Sequence, residues 1–319
     1  MSLKIGYDFS IFENVQPTGV EKLGEKLFLE HIKSSPSSTH CIFYKNKLPT
    51  ISVNSNNIFF IKVKDGIFWR SLKLSSSINR EMLDVFLSPV TAVPLFAKCK
   101  VIPYVHECQW LHASGEKMRV KDRIAMWLSA IKCKLFFTNS NFTAHDIQRE
   151  LKFFSPSVEV IYPALFDNVF KKILSNFDEV SFFNSLNINS NPSCLFLSTI
   201  RPKKNIQLLL DAFALDELKN TNLILVGKIQ DKSFVEYAQT KKLNNVYFLG
   251  YCSDDEVKAL FDIAKVFLYI SKHEGFGLPI LESFYNNTPV IASKNGSIPE
   301  VGGSAAVYVE KLLPEDLAK

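Results

Sequence analysis

Short apolar runs rich in β-branched and aromatic residues alternate along this chain with segments whose apolar positions recur every three or four residues. The runs at residues 4–9, 41–44, 58–63, 85–88, 101–106, 133–138 and 158–162 read as buried strands. Between them, residues 19–33, 76–84, 121–131 and a segment running to about 151 read as helices, the last capped within Asn139-Ser140-Asn141-Phe142-Thr143. Pro163 stops the pattern. It restarts after residue 192, with strands at 194–198, 222–226, 246–250, 264–270, 289–292 and 306–309, and helices at 205–213, 233–241 and 254–263. Strands alternating with helices predict an α/β chain with doubly wound parallel sheets. Two such series predict two Rossmann-like domains, 1–163 and 193–319. An Asn-, Ser- and Phe-rich connection at 164–192, holding one helix, joins them. Ligands of such sheets bind beyond the carboxyl ends of the strands, and the expected place in a two-domain chain is the central cleft the domains face.

Composition changes this picture little. A chain of 319 residues, 47% hydrophobic and 22% charged, is long enough for two ordinary cores. No apolar run is long enough to span a bilayer, and residues 3–8 enter a strand directly, without the apolar core of a signal peptide. The six cysteines are far apart and form no C-x-x-C pair, which argues against a zinc ribbon or disulfide framework and predicts a reducing, cytoplasmic setting. Charge is uneven. Residues 1–165 hold 21 Lys/Arg against 14 Asp/Glu, and the remainder 16 against 18. The basic half suits peripheral contact with anionic lipid or a pyrophosphate-bearing acceptor; scattered lysines that simply keep a domain soluble are the alternative. No arginine-rich stripe or stacking motif points to nucleic acid.

Chemistry concentrates in Glu274-Gly275-Phe276-Gly277-Leu278-Pro279-Ile280-Leu281-Glu282. A buried strand precedes it, and Pro279 suits the first turn of a helix. The amides of Gly275, Phe276, Gly277 and Leu278 then stand at a helix start, where orphan N–H groups and the helix dipole favour an anion. Glu282, near the first turn, can accept two hydrogen bonds from a vicinal diol. Phosphate, diol and a second carboxylate at Glu274 suggest a sugar nucleotide. The bland alternative is a tight turn flanked by two solvated carboxylates.

This stretch resembles the E-x7-E signature of retaining glycosyltransferases of the GT-B fold, in particular the large family GT4. Ser198-Thr199-Ile200-Arg201-Pro202-Lys203-Lys204-Asn205 resembles the family's basic segment: Lys204 falls on its phosphate-binding lysine, and Arg201 stands near Thr199, where many members carry arginine. Such a loop can neutralise a leaving diphosphate, though a basic loop by itself is commonly a solvated turn. His106-Glu107, closing the strand at 101–106, resembles the family's His-Asp dipeptide, and the resemblance implies that His106 orients the sugar. Gly19, at the start of the first helix, resembles the family's glycine-rich loop with fewer glycines. Tyr251 falls where members contact the nucleotide base. Family members normally continue past residue 309 with helices that return to the first domain, so the resemblance implies a shortened C-terminal domain.

These residues imply a retaining hexosyltransferase. Glu274 and His106 would be catalytic; Arg201, Lys204, Gly275, Phe276, Gly277, Leu278, Glu282, Tyr251 and Gly19 would hold the donor. The segment at 200–205 most resembles mannosyltransferases of bacterial surface polysaccharide assembly, making GDP-mannose the first donor expected and a saccharide or lipid-linked saccharide the acceptor. No Asp-x-Asp motif occurs, so no metal or cofactor is expected. The rival readings are a sugar-nucleotide epimerase or hydrolase on the same fold, and a GT-B protein that binds without turnover.

Overall fold

Two all-parallel sheets organise the computed structural model, which describes residues 2–14, 19–51, 56–112, 120–165 and 177–319. The first has seven strands: β1 (Lys4–Asp8), β2 (Thr39–Tyr44), β3 (Ile58–Lys62), β4 (Val85–Ser88), β5 (Lys100–Val105), β6 (Leu135–Thr138) and β7 (Ser157–Val160). Their order is β3-β2-β1-β4-β5-β6-β7. The second has six: β8 (Ser193–Leu197), β9 (Asn222–Val226), β10 (Val246–Gly250), β11 (Ala264–Tyr269), β12 (Val290–Ser293) and β13 (Val307–Val309), in the order β10-β9-β8-β11-β12-β13. The chain divides accordingly into two compact units, Met1–Leu111 with Met118–Pro163, and His112–Lys117 with Ala164–Lys319.

Parallel strands are buried on both faces, which is why they show as unbroken apolar runs. Every residue of β9 is buried. In the first unit, Phe43 and Phe86 meet edge to face at 5.7 Å in one core, while Tyr7, Phe9, Phe28 and Ile42 fill the other side of the sheet. Helices α1 (Gly19–Ser34), α2 (Ser75–Glu81), α3 (Val120–Lys132) and α4 (Asn141–Glu150) accompany this sheet. Ser140 caps α4 by accepting from the Thr143 amide at 3.1 Å.

In the second unit the helices are α5 (Glu179–Leu186), α6 (Ile206–Phe213), α7 (Ser233–Thr240), α8 (Asp254–Ile263), α9 (Leu278–Tyr285), α10 (Ile298–Gly302) and α11 (Pro314–Leu317). Phe182, Phe183 and Leu186 of α5 pack against the core that holds Leu195, Ile224 and Phe267. Ser253 and Glu256 close a capping box on α8.

Some boundaries differ from the sequence pattern for local reasons. A π-helical turn, Arg70–Leu74, runs straight into α2, which stops where Met82 takes a left-handed φ of 51°. The strand expected from 133 starts at Leu135, because the Cys133 amide bonds back to Ser129 and completes α3. Helix α6 begins after Asn205, whose φ of 57° breaks it from a 3-10 turn at Pro202–Lys204. All six cysteines are free thiols.

Candidate active site

The order of the second sheet reverses between β8 and β11, and at such a switch point the loops leaving two adjacent strands diverge and open a crevice. The loop after β8 carries Arg201, Lys203 and Lys204; the loop after β11 carries Glu274 and leads into α9. Their backbones are tied by the Lys272 amide, which donates to the Lys203 carbonyl at 2.9 Å. Across this tie the Lys204 Nζ donates to Glu274 Oε1 at 2.5 Å. Both side chains are buried, so neither is the solvated charge a basic turn or a Glu-Gly dipeptide ordinarily carries. Lys203 is more deeply buried still, at 1% exposure. The Lys204 ammonium also lies 5.9 Å from the centre of the Tyr269 ring, which adds a cation–π contact.

Electrostatics at this pair are lopsided. Burial by itself would raise the Glu274 pKa, but the ammonium groups of Lys204 and Lys203 outweigh it and hold the carboxyl at about 2. Burial pulls Lys204 below the ordinary lysine range, and its bond to Glu274 opposes that fall. The outcome at neutral pH is a fixed carboxylate beside a lysine at the mouth of two parallel strands.

Neighbouring backbone holds Glu274 in place. Gly296, at φ 65°, packs so closely on residue 274 that an added Cβ would lie 2.5 Å from the Glu274 carbonyl oxygen. The Ser297 amide donates to that same oxygen at 3.2 Å, and its hydroxyl donates to the Phe276 carbonyl at 2.8 Å. Ser293 donates through its hydroxyl to the Ser271 carbonyl at 2.7 Å. The loop after β12 thus backs the loop after β11. Sequence reasoning did not identify this support; a Gly-Ser pair just past a strand was its only signal.

The glycines of the central motif play different parts. Gly277 has a φ of 114° and sits at the N-cap of α9, whereas Gly275 has no left-handed angle. Pro279 occupies the first turn of α9, as expected. Glu282 is the fifth residue of α9, just past its first turn, and is half-buried. Phe276 is buried and Leu278 half-buried. Tyr251 stands apart in the strand order. It follows β10, two strands away from β8, a separation of roughly 10 Å across the sheet, and its side chain is 52% exposed.

Two expected residues belong to the first unit. His106 follows β5, and its Nε2 donates to the Pro89 carbonyl at 3.0 Å. That bond assigns the proton to Nε2 and leaves Nδ1 as an acceptor; Nδ1 is buried with no partner among the described residues. Burial lowers the His106 pKa to about 4, so the ring is neutral at physiological pH. Gly19 opens α1 in an exposed position where an added Cβ would meet nothing within 4 Å. Pro17 and Thr18, which precede it, lie outside the described residues.

Comparison with known proteins finds relatives of the second unit. Residues 178–319 match the model for Glycosyl transferases group 1. O-antigen chain mannosyltransferase B of Escherichia coli is 34% identical over 122 residues, covering 36% of this chain and 32% of that protein. Serotype-specific mannosyltransferase WbdA of Escherichia coli is 35% identical over 117 residues, covering 34% of this chain and 14% of that protein. The matched stretches therefore span about a third or less of these curated relatives. Among solved structures, Anabaena HepE in complex with UDP and glucose superposes with a TM-score of 0.69 at 19% identity, covering 99% of this chain and 88% of that one. WaaG, a glycosyltransferase involved in lipopolysaccharide biosynthesis, gives a TM-score of 0.70 at 13% identity, covering 98% and 88%. The fold of the chain is GT-B, and the switch-point cluster of Lys204, Glu274 and α9 lies in the stretch, residues 178–319, that matches the model for Glycosyl transferases group 1.

Proposed function

We propose that this protein is a retaining glycosyltransferase that moves a sugar from a nucleoside-diphosphate donor to a hydroxyl of a saccharide or lipid-linked saccharide in surface polysaccharide assembly. The buried Lys204–Glu274 pair at the switch point carries this reading. The donor diphosphate lies at the amino end of α9, on the amides from Gly275 to Leu278, with Lys204 and Arg201 beside it. As the glycosidic bond breaks, negative charge grows on the leaving diphosphate and positive charge on the anomeric carbon. Lys204 and Arg201 offset the first, and ionised Glu274 offsets the second. Glu282 accepts from the ribose hydroxyls. His106 accepts a sugar hydroxyl through its unpartnered Nδ1, a role that requires the neutral ring. These side chains and the helix start supply the charge a bridging cation would otherwise provide, so turnover needs no metal.

The mannosyltransferase names of the E. coli relatives support mannose as the sugar and GDP-mannose as the donor. HepE was solved with UDP and glucose, so the uridine nucleotide is the rival to test. The acceptor end of the reaction belongs at the cytoplasmic membrane face, where lipid-linked saccharides are extended. Calorimetric titration of the protein with GDP, UDP, ADP and GDP-mannose, with and without magnesium, tests the reading. Selective binding of a guanosine nucleotide without magnesium is the expected result. Binding of none of them would refute it, and binding without transfer to any acceptor would reduce it to a non-catalytic binder.

A further inference from the structure

We infer that the outward face of α3 is a docking surface for an anionic lipid bilayer. Helix α3 is apolar on two opposite sides. Met126, Ser129 and Ala130 face the core and are almost completely buried. On the other side, Val120, Ile124, Trp127, Leu128 and Ile131 follow one another at three- and four-residue spacing, so they share one face of the helix. Their exposures are 50%, 53%, 46%, 43% and 67%. A helix packed on a sheet ordinarily turns polar residues outward, and a contiguous exposed apolar stripe marks an interaction surface.

Charge selects the occupant. Lys121 and Lys134 are exposed beside the stripe, and Arg123 is partly exposed with its guanidinium 5.1 Å from the Trp127 ring centre. The acidic groups packed alongside from α4 are buried and paired: Glu150 with Arg123 at 2.6 Å and Asp146 with Arg149 at 3.3 Å. Past the end of α4, Phe153 is 88% exposed beneath the Lys152 ammonium at 5.1 Å. Apolar anchors, a tryptophan and a flanking set of cations match the headgroup–acyl boundary of an anionic membrane. A second copy of this chain fits less well, because it would bring two basic faces together. No helix among the described residues is long and apolar enough to cross a membrane, so the contact is one that lies on the surface. This inference rests on exposure and charge alone and stands whichever sugar is transferred.

The test is co-sedimentation of the full chain with vesicles of equal parts phosphatidylglycerol and phosphatidylethanolamine, against pure phosphatidylcholine. The wild type should pellet with the first and stay in solution with the second, and Trp127 emission should shift to the blue, a shift lost in Trp127→Phe. Ile124→Ser combined with Ile131→Ser should weaken binding at least about tenfold while the melting temperature holds, because both side chains are exposed. Lys121→Glu combined with Lys134→Glu should remove the salt-sensitive part of the affinity. Absence of binding to the anionic vesicles, or equal binding by the Ile124/Ile131 variant, would overturn the inference. So would sedimentation velocity showing a wild-type dimer that this variant dissociates without any vesicle binding, which would make the face a contact between copies.

Discussion

Replacing Glu274 by glutamine tests whether the Lys204–Glu274 pair holds the second unit together as well as equipping it. The substitution keeps shape and one acceptor but removes the charge facing a buried ammonium 2.5 Å away. Holding the carboxyl at about 2 instead of 4.5 corresponds to about 3 kcal/mol at neutral pH, part of which the burial of Lys204 cancels. The unfolded chain binds the proton more readily than the folded one, so this contribution is present above pH 4.5 and is lost as the pH falls towards 2. Removing one partner also leaves the other charge buried and unpaired, a loss of about 3–5 kcal/mol. For a unit of this size that lowers the melting temperature by about 6–20 °C. Scanning calorimetry on the full chain, following the transition of the second unit, measures it. Lys204→Met alone should cost a similar amount, and the two together should recover more than half of the summed loss, because no unpaired charge remains. A Glu274→Gln transition within about 1 °C of wild type would refute the reasoning, as would strictly additive single and double variants.

Gly296→Ala forces a Cβ to 2.5 Å from the Glu274 carbonyl at a left-handed φ, so it should destabilise the second unit by about 1–3 kcal/mol in urea unfolding and weaken nucleotide binding as residue 274 shifts. Glu282→Ala should weaken nucleotide affinity about tenfold by calorimetry without moving the melting temperature; unchanged affinity would remove its ribose role. His106→Gln should leave nucleotide affinity intact and slow transfer. It should also flatten the acid dependence of the first unit, since a histidine at about 4 withholds stability progressively as the pH falls from 6.5. Wild-type stability of that unit that is flat between pH 6.5 and 4 would contradict the burial assigned to His106.

Strands were the most legible part of the chain, because a parallel strand buried on both faces, such as β9, leaves an apolar run with no alternation to confuse it. Glu274 and Lys204 stood out as residue types in suggestive loops, but not as partners. Their bond joins positions 70 residues apart and exists only because β8 and β11 are neighbours at the point where strand order reverses. Lys203 gave no sign that it would be buried, since lysine in a short loop reads as solvated. The left-handed Asn205 was hidden inside a helical pattern. Tyr251 shows how little a loop position says about sheet order. A tyrosine after a strand looked equivalent to the other loop residues, yet its strand lies at the far edge of the sheet. Helix α3 was recognised by its period, but a period does not say which of two apolar sides faces the core.

The brace behind Glu274 has a consequence for how a ligand would be received. The Lys272 amide bonds to the loop after β8, and the Ser297 amide bonds to the carbonyl of Glu274. The loops after β8, β11 and β12 are therefore tied to one another at one end of the sheet. In hydrogen–deuterium exchange, the amides of Lys272 and Ser297 should be protected at the rate of global unfolding rather than that of fraying loops. An incoming anion then meets groups already fixed in place, and the heat of binding is not spent on assembling its own receptor.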